Sequence, residues 1–569
     1  MSAVDLPWRD IRGKVSLYGA VGSSLSLDGQ TTEELGEVEA AAAPAAVRTG
    51  GRGGVLGFFR PSHQHTATSA AVLLGVFALI SRMIGLVRDK YIAHTFGAGA
   101  GTDAYLVAFQ LPDLINYLLV GGAASISFVT ILSRYRERGE LAAGDRALSV
   151  ILNTMALVLG GAILLAEVLT PLYTDRFFPR GTVESELCTT MTRILLPGQL
   201  FFFAGGVLAS VALVRKQFTY QAISPLVYTL GIIVGGLLFA KTLGIAALAW
   251  GALVGAVLGP FAVNGFAAWR AGVRYQPVLD FSNQGLRDWV RMSLPLMLGV
   301  SVVFLDNYIL TWFAKQTTGE ISKLMYAKRL FTAPMAILGQ AAGAASLPFF
   351  AALYSKGLHQ DYREAVNRSV SRIVTAACLL AAAMFGLAGP IVDLVFRGGA
   401  FGRQDARQTA MYFAIFTLSL PFWASQAIYA RAFFAAGETR APMIAGTVLT
   451  VLSLPMYWLL HARFGVIGLA WASNLAIVAQ TSMLAVLAHR RSLVPLFGLD
   501  LPELERSLLA AFVSFAGLHL LDHVMPVAST HVGALLELLV GSSVWVLLAG
   551  VTLLLTGSKM VGELRRRFA

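Results

Sequence analysis

The chain has 569 residues, of which 56% are hydrophobic and only 13% charged, against roughly 25% charged in an average soluble domain. That composition excludes a soluble enzyme and reads as an all-α polytopic membrane protein. Lysine and arginine exceed aspartate and glutamate by 12, but the basic residues fall in short connections between apolar segments, which points to membrane topology and not to nucleic acid. Cys188 and Cys378 are too few for a disulfide framework or a thiolate metal site.

Residues 1–66 hold the Ala-rich run Ala40 to Ala46, the Gly/Arg stretch Thr49 to Gly54 and little apolar periodicity. They predict a disordered cytoplasmic tail. Trp8-Arg9-Asp10-Ile11-Arg12 does not lead into the apolar core of a signal peptide, so the chain is expected to begin in the cytoplasm.

A membrane-crossing helix needs about 20 mostly apolar residues. Such segments fall at about 68–95, 102–133, 147–172, 191–213, 220–240, 244–269, 288–314, 320–353, 370–394, 407–434, 441–460, 465–487, 506–522 and 533–556, which makes fourteen. They group into a six-helix lobe over 67–275, a second over 285–492, a C-terminal pair over 500–557 and a basic cytoplasmic tail at 558–569. Arg134, Arg136 and Arg138, then Arg215 and Lys216, then Arg270, Arg274 and Arg287, then Arg363, Arg368 and Arg372, then Arg440, then Arg490 and Arg491 lie in alternate connections, whereas 96–101 carries no Lys or Arg. The positive-inside bias then puts both termini in the cytoplasm. The connections near Arg176 to Arg193 and Arg397 to Arg407 run against it and are partly balanced by acids.

Two strings recur at one offset. Gly122-Ala123-Ala124-Ser125 returns 221 residues later as Gly343-Ala344-Ala345-Ser346, and Gly244-Ile245-Ala246-Ala247-Leu248-Ala249-Trp250 returns 221 residues later as Gly465-Val466-Ile467-Gly468-Leu469-Ala470-Trp471. An offset of six helices brings the chain back to the same side, so the halves read as parallel repeats, an arrangement that suits two bundles rocking about a central site.

Polar residues inside apolar helices are costly and are functional candidates by default. The first helix contains Ser81-Arg82-Met83-Ile84-Gly85-Leu86-Val87-Arg88-Asp89. At 100° per residue Arg82 and Asp89 share a face, flanked by a line of Ser81, Gly85 and Arg88, with a glycine gap where a ligand can approach the backbone. Arg88 and Asp89 could instead pair at the outer interface. The second helix adds Asp103, Gln110, Pro112, Asp113 and Asn116, and its proline kinks it. Asp306 and Asn307 lie in the seventh, and Tyr326-Ala327-Lys328-Arg329 opens the eighth. Asp306 either pairs with Lys328 or Arg329, or it serves as an ion or charge-balance site while Arg82/Arg88 and Lys328/Arg329 converge on an anion. His519, Asp522 and His523 give an H-x-x-D-H pattern with no third ligand, at a helix end, and are read as interfacial. No Walker loop or nucleophile elbow is present, so neither an enzyme nor a cofactor is expected.

Ser81-Arg82-x-x-Gly85-x-x-Arg88-Asp89, Phe96-Gly97-Ala98-Gly99-x-x-Thr102-Asp103-Ala104 and Leu111-Pro112-Asp113-Leu114 resemble the start of the MurJ (MviN) family of lipid II flippases, within the multidrug/oligosaccharidyl-lipid/polysaccharide exporter superfamily. Ser293 to Val302, Tyr326-Ala327-x-Arg329-Leu330, Phe396-Arg397-x-Gly399-Ala400-Phe401 and Arg431 to Pro442 extend the resemblance over about 67–556. It implies two six-helix lobes plus a pair, a central cationic cavity for the pyrophosphate and sugars of an undecaprenyl-linked precursor, and a lipid-tail groove by helices thirteen and fourteen. Arg82, Arg88 and Arg329 match the family's cavity arginines, and Asp89 and Asp103 its acids. Ser81, Gly85, Asn116 and Lys328 complete the expected substrate site.

There are departures from that pattern. Where members carry an Arg pair and then Phe-Ala-Glu-Gly, this chain reads Asn116-Tyr117-Leu118-Leu119-Val120-Gly121-Gly122, and Lys328 stands where an acid is usual. The expected activity is transport of lipid II across the bacterial inner membrane, with membrane lipids and cell-wall synthesis proteins as partners. Flipping of another polyprenyl-linked glycan, cation-coupled drug antiport and a non-transporting scaffold role stay open at this point.

Overall fold

A computed structural model describes residues 67–117, 122–297, 302–524, 530–560 and 562. The tail predicted at 1–66 and most of the one at 558–569 lie outside the described residues. Apart from one isolated bridge, Gly398 with Phe401, the regular structure of the described residues is helical.

The first half comprises α1 (Ala67–Phe96), α2 (Ala100–Ala108), α3 (Gln110–Ile115), α4 (Gly122–Glu137), α5 (Leu141–Thr174), α6 (Val183–Leu195), α7 (Gly198–Val214), α8 (Thr219–Leu243), α9 (Ala246–Ala256) and α10 (Asn264–Arg270). The second comprises α11 (Gln284–Met297), α12 (Val302–Ala314), α13 (Glu320–Met335), α14 (Ala342–Ser355), α15 (His359–Gly386), α16 (Ala388–Val395), α17 (Arg403–Thr417), α18 (Leu420–Ala435) and α19 (Arg440–Arg490). A pair, α20 (Leu501–Val524) and α21 (His531–Leu555), ends the chain.

Among the described residues eight helical stretches are long and apolar enough to cross a membrane, nine if α17 and α18, bent by 44°, count as one. Apolar side chains such as Leu164 and Val168 on α5 are 69% and 74% exposed, a surface that water does not tolerate over this length but lipid does. The molecule is a multi-pass membrane protein.

Several of the fourteen predicted segments are broken. The second is divided among α2, α3 and α4 near Pro112, with a π turn at Asn116–Tyr117; the eighth is divided by a π stretch over Ala336–Ala341, two residues past Pro334. Proline removes a backbone donor and crowds the preceding turn, which favours such breaks. The 221-residue offset lays 116 on 337, so these two π turns coincide between halves, whereas a third π stretch, Val257–Val263, falls on a stretch of α19 that is α-helical. The same offset lays Gly244 on Gly465, and these hold nearly one conformation, φ 57°, ψ −142° and φ 62°, ψ −144°. Only glycine adopts it freely, and in both halves it turns one long helix back on the next.

The seventh segment departs from its predicted lobe. Trp289 of α11 packs against Phe128 and Phe203 of the first half, with ring centroids 5.3 and 6.2 Å apart. α11 is amphipathic, and its apolar side finds its partners on α4 and α5. Residues 284–292 therefore belong by packing to the first half.

The cores explain the shape. At one end a single core mixes the halves, Ile92, Tyr105 and Val107 with Tyr326, Phe396 and Phe401. At the other end each half keeps its own, one around Phe128, Leu148 and Phe203 and one around Phe350, Tyr362 and Phe433. Among the described residues the halves thus share a core at the end that carries the 96–101 connection, and each keeps its own core at the end that carries the arginine-rich connections.

Candidate functional site

Where the separate cores give way to the shared one, α1 and α13 face each other. Asp89 Oδ1 accepts from Arg88 Nε at 3.0 Å and Nη2 at 2.9 Å, and from Arg329 Nη1 of the other half at 2.7 Å. The carboxylate is buried, with 7% of its side chain exposed, while the Arg88 and Arg329 side chains keep 21% and 35%. Charge-assisted hydrogen bonds of this length are the strong ones, and both arginine side chains keep part of their surface exposed.

Arg82 lies on the same face of α1 as Asp89, seven residues or about 10 Å toward the basic end, and is exposed. Between them a Cβ added at Gly85 would meet nothing within 4 Å, so the glycine gap opens on empty volume. Ser81 is half-buried beside it. Asn116, at the π turn, lines a cavity of about 420 Å³ in the first half together with Asp113, Gln199, Phe202 and Tyr228. Asp113 is exposed and within Coulombic range of Arg329 and Arg88. Asp113 stands in the sequence among the polar residues of the second helix, and its place in the cavity lining adds it to the expected site.

Three of the expected site residues go elsewhere. Asp103 is 2% exposed and caps α13, accepting from Gly319 N at 2.5 Å, Ser322 N at 2.8 Å and Ser322 Oγ. Its carboxylate serves as the missing N-terminal partner of that helix and ties the first half to the second. Gly319 has φ 85°, and a Cβ there would stand 2.8 Å from the Ala98 carbonyl oxygen, so only glycine fits. Ala400 N donates to His94 O at 2.8 Å, and Lys90 Nζ to Leu394 O at 2.9 Å, at the same end.

Lys328 and Asp306 are both buried and paired with each other. Tyr457 OH also donates to Asp306, and Ser473 Oγ does so at 3.1 Å. The pairing open in the sequence is therefore made with Lys328, and both side chains are buried within the second half. Neighbours on α13 are 100° apart, which sends Lys328 into its own half and Arg329 across to Asp89.

Among the described residues no group of three or more His, Cys, Asp or Glu side chains is arranged to hold a metal ion. The rings of His519 and His523 lie 4.7 Å apart, edge to face.

The family model described as lipid II flippase MurJ matches residues 92–540. The probable lipid II flippase MurJ of Buchnera aphidicola is 25% identical over 500 residues, covering 85% of this chain and 95% of that protein. The lipid II flippase MurJ of Burkholderia cenocepacia is 28% identical over 410 residues, covering 68% and 77%. In fold the chain is similar to a lipid II flippase MurJ in an inward closed conformation, with a TM-score of 0.70 at 20% identity over 85% of this chain and 99% of the other. An inward-facing multidrug transporter of the MATE family gives 0.59 at 15% identity over 79% and 99%.

Proposed function

The chain belongs to the lipid II flippase MurJ family, and from that premise we propose that it moves lipid II, a polyprenyl-pyrophosphate-linked precursor of peptidoglycan, from the cytoplasmic to the outer leaflet of the bacterial inner membrane by alternating access. The observation that carries this reading is the arginine pair closed on one carboxylate, with Arg88 from the first half and Arg329 from the second. A diphosphate offers several anionic oxygens to the same N–H groups and competes with Asp89 for them. A ligand bound by both halves biases how they sit against each other, which is what rocking requires.

Fourteen crossings in two six-helix lobes plus a pair, with both termini cytoplasmic, fit the alternation of basic connections. The cleft then opens to the cytoplasm, and the end closed by Asp103 and Gly319 is the outer gate. Ser81, Gly85 and Arg82 line the way in, Asn116 and Asp113 face the sugars, and the polyprenyl tail stays in lipid beside α20 and α21. Cell-wall synthesis proteins take up the product.

The test is complementation. In a host depleted of its own flippases this chain should sustain growth and lipid II translocation, and Arg88→Ala/Arg329→Ala should sustain neither while reaching the membrane at the same level. Full activity of the double variant, or none from the parent, overturns the reading.

A further inference from the structure

In the second half, with no residue of the Arg88–Asp89–Arg329 cluster in their linings, two cavities follow one another along α15 and α20. The first, about 920 Å³, is lined from α15 by positions 360, 363/364, 367/368, 371/372 and 375, one helical face, and closed by 495–500 and 559–560. The second, about 580 Å³, continues from Val374 to Phe385 on α15 and from Leu504 to Phe515 on α20 and is almost wholly apolar. α21 lines neither cavity.

Three acids line the first cavity, and each has a partner: Glu364 accepts from Gln360 Nε2 at 2.9 Å. Asp500 accepts from Lys559 Nζ at 2.6 Å, and Glu503 accepts from Ser558 Oγ, the amides of Lys559 and Met560, and Arg506. Arg363 donates to the Ser492 carbonyl, which leaves its charge uncancelled there. Arg368 and Arg372 are exposed one turn apart. Two polar atoms point to a ligand more directly. Asn367 is 4% exposed and Thr375 is 1% exposed, and neither Asn367 Oδ1 nor Thr375 Oγ1 has a hydrogen-bond partner among the described residues. Burying such groups unpaired is costly.

From these observations we propose that the α15/α20 groove binds an anionic glycerophospholipid, its phosphate on the arginine row and its acyl chains in the apolar cavity. A head group with hydroxyl donors, as in phosphatidylglycerol, satisfies Asn367 Oδ1, and Thr375 donates to a glycerol ester carbonyl. From Arg372 to Phe385 is thirteen residues, about 20 Å of helix, enough to carry a chain through one leaflet of a hydrocarbon core about 30 Å thick. The arginine row lies at the end of the molecule that carries the basic connections, where anionic head groups are recognised. Free phosphate would need the first cavity only, and the second would then have no occupant.

The test is native mass spectrometry of the purified full chain titrated with phosphatidylglycerol, with phosphatidylcholine and inorganic phosphate as separate arms. Phosphatidylglycerol should bind at least tenfold more tightly than phosphatidylcholine, and millimolar phosphate should not displace it. Arg368→Ala/Arg372→Ala should weaken it about tenfold, and Ala382→Phe, which fills the apolar arm, should do so with the arginines intact. Melting in lipid-free detergent should be unchanged in both variants, which separates lost binding from lost folding. Equal affinity for the two lipids, displacement by phosphate, displacement by equimolar undecaprenyl pyrophosphate, or undiminished binding by both variants overturns the proposal.

Discussion

Replacing Asp103 by alanine should loosen the end at which the two halves are joined. The carboxylate accepts three hydrogen bonds from the first turn of α13, two of them from backbone amides of Gly319 and Ser322, and it is buried. A capping side chain is worth about 0.5–2 kcal/mol, and a hydrogen bond to a charged group about 1.5–3 kcal/mol. These overlap, so the loss is about 3 kcal/mol, which at 1.4 kcal/mol per decade shifts the closed-to-open ratio roughly a hundredfold. Asp103→Asn keeps an acceptor without the charge and should fall between. Spin labels at Gly101→Cys and Thr318→Cys read the separation directly, because native Cys188 and Cys378 are buried. The parent should give one short distance, and the alanine variant a broad second population at longer distance. An unchanged distance distribution in both variants would show that the shared core alone holds this end and would refute the argument.

Arg329→Ala should abolish translocation without unfolding the protein, and Arg329→Lys should restore only part of it, since an ammonium cannot reproduce the planar fork; vesicle translocation assays with melting curves check both. Lys328→Ala leaves Asp306 charged and buried and should cost about 3–5 kcal/mol, whereas Lys328→Met/Asp306→Asn removes both charges and should cost much less, a contrast that a double-mutant cycle measures. Asp500 is held below the ordinary carboxylate range by the hydrogen bond from Lys559. Its contribution is therefore present above the unfolded pKa near 4 and lost as pH falls through the lower folded value, so acid titration from pH 6 to 3 should free the 558–560 segment to proteolysis and Asp500→Asn should remove that step. Translocation into proteoliposomes with the cytoplasmic face inside should accelerate under an imposed interior-negative potential and collapse with valinomycin and balanced potassium; a rate set by a sodium or proton gradient alone would contradict it.

The fold class is legible because lipid imposes one rule, and a chain that is 56% hydrophobic and 13% charged obeys it. The stripe of Arg82, Gly85 and Asp89 is legible for a related reason, since a charge in an apolar helix needs a cavity or a partner. The partner of Asp103 is not legible, because backbone amides carry no letter. Nor is the division of labour between Lys328 and Arg329 visible in their adjacency, although a helical projection separates them by 100°. The breaks at 116–117 and 336–341 come from packing around prolines and were hidden inside segments of apolar composition.

The charges near the cleft determine what the membrane potential can do. Arg82, Arg88 and Arg329 contribute three positive charges, Asp89 and Asp113 two negative ones, and Lys328 cancels Asp306 within the second half. The empty site is then close to one positive charge. A polyprenyl pyrophosphate brings at least two negative charges, so the loaded site is close to one negative charge. An interior-negative potential drives the loaded site outward and the empty site inward, each with at most about 2.3 kcal/mol per 100 mV. With Asp89 absent the empty site would carry two positive charges and the loaded site none, and the outward stroke would lose its drive. The carboxylate between the two arginines therefore divides the electrical work between the half-cycles, and Asp103, engaged on α13, contributes to the gate and not to this balance.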